Sequence, residues 1–134
     1  MAEKFRTTAT TPQQGTNFLI KAREFAETME NCIAQRKWNA AALNAIHAGI
    51  SACDAVTATF GGVRSKSQRH EDAVKLLRDT SRAPGTEEAA NHLHQLLRAK
   101  HNVEYEGRLF AQPESLPLAK HARQFLAWVN GIVS

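Results

Sequence analysis

"WNAAALNAIHAGISACDAVTATFGG", residues 38–62, decides the fold. Alanine forms helix at no side-chain entropy cost, and the run holds little that competes with helix. The stretch therefore predicts one helix from about Trp38 to Phe60, stopped at Gly61-Gly62. One face carries Leu43, Ile46, Ile50, Cys53, Thr57 and Phe60, and the opposite face carries Ala41, Ala45, Ala48 and Ala52. A helix that is apolar or small all round is buried all round. This one belongs at the centre of a bundle. It is long enough for a bilayer, but Asp54 would cost roughly 2.5–3.5 kcal/mol there. Asn39, Asn44, His47, Ser51, Thr57 and Thr59 argue the same way. No membrane association is expected.

Other helices follow on either side. Thr11-Pro12-Gln13-Gln14 combines a cap, a proline at the first helical position and the glutamine of a capping box. It opens a helix with the stripe Phe18, Ala22, Phe25, Met29 and Ile33, and residues 1–10 read as a flexible tail. After the glycines a short helix is expected from about Gln68 to Thr80, ended by "SRAPGTEE". A fourth runs from a Thr86 cap, with Glu87 and Glu88 in its first turn, to about Gly107. A fifth begins near Ser115 and presents Leu118, Ala122, Phe125, Val129 and Ile132. The expected fold is all-α, an antiparallel bundle of four to five helices forming one domain over residues 11–134.

The 134 residues suffice for one core without staples. Cys32 and Cys53 lie in helical, largely apolar surroundings and read as small buried residues of a reducing compartment. The opening "MAEKFRTTATTPQQG" has no apolar leader, so a cytoplasmic protein is expected. Seventeen lysines and arginines against thirteen acids give net charge +4 and pI about 9.4. That balance is compatible with an acidic partner such as RNA but common without one.

Polar groups on inward faces are the functional candidates. His47 and Asp54, seven apart, project from one side of the central helix beside Leu43 and Ile50. A lone buried carboxylate is costly, so Asp54 needs a partner. In "KHNVEYEGR", residues 100–108, Lys100 and Glu104 continue the stripe of Ala89, Leu93, Leu96 and Leu97. Arg98, His101, Asn102 and Tyr105 flank them, and this end of the fourth helix is the expected partner of Asp54. The other reading of the same residues is a structural network that sets the register of two helices. The loop "GGVRSKSQRH" joins backbone freedom to Arg64, Lys66, Arg69 and His70 at a helix start, where a phosphate could sit. As an exposed basic turn it would need no ligand. No zinc spacing, nucleophile elbow, dinucleotide fingerprint or calcium loop occurs, and nothing calls for a metal or cofactor. His92 and His94 face apart on a helix.

Three stretches together resemble the HEPN superfamily of small helical domains: "AAALNAIHAGISACDAV" (40–56), "GGVRSKSQRHEDAVKLL" (61–77) and "LLRAKHNVEYEGR" (96–108). The resemblance covers nearly the whole chain and is nearest to compact stand-alone bacterial members. It implies a homodimer with a groove for RNA or nucleotide at the interface. It also implies metal-independent endoribonucleases of toxin and defence systems, often paired with a nucleotidyltransferase-like antitoxin. Active members carry Arg, four to six residues, then His on a late helix. Here Arg98 is followed at that distance by Tyr105, His101 comes too early, and the formal match Arg64 to His70 lies in the loop. The catalytic motif is therefore not intact in the expected helix. For an RNA-directed protein, Lys100 and Arg98 would contact phosphate, with Glu104 beside them. His47 or His101 would move a proton, Asp54 would orient it, and Tyr105 would donate a hydrogen bond. Arg64, Lys66, Arg69 and His70 would extend the basic surface. The alternative is a non-catalytic module that binds a protein or nucleotide.

Overall fold

The computed structural model describes residues 6–67 and 69–133. Five helices form a bundle: α1 (Pro12–Ala34), α2 (Trp38–Gly61), α3 (His70–Thr80), α4 (Thr86–Tyr105) and α5 (Gln112–Ile132). The capping box of α1 is present: the Gln14 N–H donates to Thr11 Oγ1 at 3.2 Å, and the Thr11 N–H donates to Gln14 Oε1 at 2.8 Å. Only Gln35–Lys37 separate α1 from α2, and the two helices pack together along their length.

The central position of α2 is borne out. It touches each of the other four helices, and Ser51 through Ala58 are buried without interruption. It stops where Gly62 takes the left-handed conformation, φ 66°, which a side chain would resist. Phe60, assigned to the inward face, is instead 49% exposed, because it lies in the last turn beyond the packed stretch. Two apolar clusters fill the bundle. One joins Leu19, Val56, Leu77, Leu93, Phe125 and Val129, and the other joins Met29, Ala45, Leu96, Phe110, Leu118 and Ala122. On the far side, Arg123 clamps Glu30 of α1 through bonds of 2.6 and 2.7 Å.

The alanines let helices approach closely, and at Gly49 α2 packs tightly against Leu96 of α4. A methyl group there would come within 2.6 Å of Leu96 Cδ1, in a side chain with no exposure. Gly49→Ala is therefore expected to destabilise the fold by about 1–3 kcal/mol, through overpacking that exceeds alanine's helix advantage. Urea unfolding measures the change, and an unchanged or higher midpoint would contradict this packing.

The boundaries of three helices differ from the sequence reading. α4 ends at Tyr105, two residues earlier than expected, and starts from Gly85 as its cap; the Thr86 hydroxyl donates to the Ala83 carbonyl at 2.7 Å. α5 starts at Gln112, before Ser115, because Glu114 reaches back to accept the Ala111 N–H at 3.0 Å. The expected start of α3 at Gln68 lies outside the described residues, and the helix begins at His70.

The largest correction concerns residues 1–10. Residues 1–5 lie outside the described residues, but Thr7–Ala9 form a strand, β1, antiparallel to β2, Val63–Ser65. The registered pairs are Thr7 with Ser65, Thr8 with Arg64 and Ala9 with Val63. The Lys66 N–H donates to the Arg6 carbonyl and the Thr10 N–H to the Gly62 carbonyl, both at 2.8 Å. Residues 6–10, read as part of a tail, thus support the basic loop.

Candidate functional site: a cationic cleft between α2, β2 and α4

A cleft of about 480 Å³ opens between α2, the β2 loop, the start of α3 and the end of α4. Its floor is apolar: Ile50 and Cys53 from α2, Ala73 from α3, Leu93 and Leu97 from α4. Arg64, Lys66, Arg69 and Lys100 line it with His70, His101 and Tyr105, and Asp54 is the only acid among its described lining residues. Two separate stretches of sequence, the loop and the end of α4, therefore meet at one place.

Local structure explains how each group is held. β1 fixes the backbone at Arg64, whose guanidinium lies over the Phe18 ring with Cζ 5.0 Å from the centroid. Beyond β2 the serines shape the turn. The Ser67 N–H donates to Ser65 Oγ at 3.1 Å, the Arg69 N–H donates to Ser67 Oγ at 3.1 Å, and the Ser67 hydroxyl donates to Asp72 at 2.6 Å. Lys66 is left exposed between the two serines. At the end of α4, Lys100 and His101 lie near Tyr105: Lys100 Nζ is 5.9 Å and the His101 ring 5.4 Å from the Tyr105 ring centroid.

The partner of Asp54 differs from the expectation. Arg64 of β2 approaches its carboxylate at 3.2 Å, whereas Lys100 pairs with Glu104 at 2.6 Å. Glu104 also lies 3.8 Å from His47 Nε2, and His47 leans on the Phe25 ring at 5.5 Å between centroids. The α2–α4 contact is thus His47–Glu104–Lys100, and Asp54 is engaged by Arg64. Asp54 and His47 are two turns apart, about 10 Å along α2, so one carboxylate does not serve both.

Burial pushes the Asp54 carboxyl up to about 6, against the opposing pull of Arg64 and the weaker pull of Lys21. Burial, with Asp54 beside it, holds the Cys53 thiol well above its ordinary range, so Cys53 is floor rather than nucleophile.

Of the residues singled out from sequence, Asp54, Arg64, Lys66, Arg69, His70, Lys100, His101 and Tyr105 share the cleft. Glu104 reaches it only through Lys100. His47 does not line it, and neither does Arg98, which is exposed and donates to Gln95 at 3.4 Å. Helical phase sets Arg98 off the cleft: two residues from Lys100 is 200° around the helix. Ser65 and Ser67 escaped the sequence reading, and Phe18 was read only as part of the α1 core stripe. The Ser-Lys-Ser spacing was the one local sign of the serines, since alternate residues of an extended segment face the same way.

Comparison with known proteins returns no significant match to a family model, a curated protein or a solved structure.

Proposed function

We propose that the chain is an RNA-directed, HEPN-like protein whose cleft holds one nucleotide unit of single-stranded RNA. The observation that carries this reading is the cleft's make-up: four cations and one acid around an apolar floor. Its volume, about 480 Å³, falls within the ~300–1,000 Å³ typical of small-molecule sites. Lys66, Arg69 and Lys100 supply point charges and donors for phosphate, while Ile50, Leu93 and Leu97 offer an apolar bed to a base. Tyr105, 70% exposed at the mouth, is placed to stack. The formal Arg64–His70 spacing of the HEPN resemblance also falls on this cleft. Under the same resemblance a second copy would cover Tyr105 and the 79% exposed Leu109, and the cognate partner would be a nucleotidyltransferase-like antitoxin.

Fluorescence anisotropy with a labelled single-stranded RNA tests the reading. Lys100→Ala is expected to weaken binding at least tenfold, because a charge-assisted phosphate contact is worth about 1.5–3 kcal/mol. Arg98→Ala, outside the cleft, should leave it within about twofold. Equal losses from both would place RNA elsewhere on the bundle.

A second reading is favoured by one observation: His70 and His101 line the same cleft beside Lys100. Two imidazoles can supply the general base and the general acid that metal-independent RNA cleavage uses. One takes the 2′-hydroxyl proton as O2′ bonds to phosphorus, and the other protonates O5′ as its bond to phosphorus breaks. Lys100 faces the charge that grows on the phosphoryl oxygens. The products are a 2′,3′-cyclic phosphate and a 5′-hydroxyl. Cleavage in EDTA that is lost in His101→Ala supports this second reading. Binding without cleavage leaves the chain a nucleotide-binding module.

A further inference from the structure

We propose that Asp54 and Arg64 together read the base of the bound nucleotide and select guanine, an inference that rests on the nucleotide reading of the cleft. The two side chains form an acceptor and a donor side by side, 3.2 Å apart at closest approach. They are carried by different elements and each is held in place. Asp54 sits in the buried stretch of α2, and Arg64 sits in β2, paired with Thr8 and laid over Phe18. The pair also leaves hydrogen-bonding capacity unused. Only Arg64 Nη2 is engaged with Asp54, and the Arg64 side chain is 43% exposed along the cleft, so its outward N–H groups are open to a ligand acceptor.

Depth in the cleft separates base from phosphate. The Asp54 side chain is 11% exposed, whereas Lys66 is exposed at the rim. A phosphate held by the rim cations points the other end of a nucleotide inward, over Ile50, Leu93 and Leu97 and toward the Asp54–Arg64 pair. An ionised carboxylate only accepts hydrogen bonds and a guanidinium only donates them. The ligand edge that meets them must carry donors beside an acceptor. Guanine presents two adjacent donors, N1–H and the 2-amino group, next to the O6 acceptor. Adenine and cytosine offer a carboxylate one amino group, and uracil offers one ring N–H. Guanine alone gives Asp54 two hydrogen bonds while O6 takes one from Arg64.

Calorimetric titration with GMP, IMP, AMP, CMP and UMP tests the proposal. GMP is expected to bind about tenfold more tightly than AMP, CMP or UMP, as a two-bond base contact provides. IMP keeps N1–H and O6 but lacks the 2-amino group, so it should fall between, and this comparison needs no variant. Asp54→Asn should flatten the ranking to within about twofold while all five nucleotides still bind. Lys100→Ala should weaken all five in proportion and keep the ranking. Equal binding of the five by the wild type, or an unchanged ranking in Asp54→Asn, overturns base selection and leaves the nucleotide site standing. Failure of every nucleotide to bind the folded protein overturns both.

Discussion

Replacing Lys66 and Lys100 together with alanine is expected to weaken single-stranded RNA binding on the order of 100-fold at physiological salt. The two lysines reach the cleft from different elements, the turn after β2 and the end of α4, and line the same opening. Each phosphate neutralised on a single strand contributes about 0.7 to the slope of log affinity against log salt. The double variant should therefore lower that slope by about 1.4. A cost in folding does not account for such a loss. Lys66 is exposed, and loss of the partly buried Lys100–Glu104 pair, with side chains 35% and 20% exposed, would lower stability without changing the salt slope. Anisotropy titrations at several salt concentrations separate the outcomes. A loss of affinity with an unchanged slope would mean that the lysines do not meet phosphate.

The second large effect concerns Asp54 and has a sign that distinguishes the two readings of its burial. The carboxyl is pushed up to about 6 in the folded chain from an ordinary value of 3.8. Between those values the folded state holds a proton that the unfolded state releases. The stability contributed by this group is full below the unfolded value and is lost as pH rises through the folded one. Wild type should thus lose about 3 kcal/mol relative to Asp54→Asn between about pH 3.5 and 7.5. Urea unfolding of both proteins across that range measures it. A carboxylate kept for a structural ion pair would be stabilised in its charged form, and the difference would run the other way. A costly charge retained inside a cleft is consistent with the proposed binding site.

The helices were legible because their signals are local. The Thr11–Gln14 box, the all-round small surface of α2 and the Gly61-Gly62 stop each act within a few residues. β1 was not legible. "TTA" is three residues of exposed chain, and its pairing with Val63–Ser65 depends on where α2 returns the chain. The site was half legible for the same reason. Helical phase shows that Asp54 faces inward and needs a partner, but not which loop delivers one. The charged end of α4 was the expected partner because Lys100 and Glu104 share its inward stripe. Arg64 arrives through a strand whose path the helix pattern does not encode. Glu104, the nearer acid, engages Lys100 and His47 instead.

The most direct test of the cleft as the RNA site is a residue-resolved titration. Amide shifts of the isotope-labelled protein are followed as a short single-stranded RNA is added. The account predicts changes concentrated at Ile50–Asp54, residues 64–73 and Leu93–Tyr105, with the Glu30–Arg123 clamp between α1 and α5 unmoved. Shifts centred on that clamp, or none at saturating RNA, would contradict it.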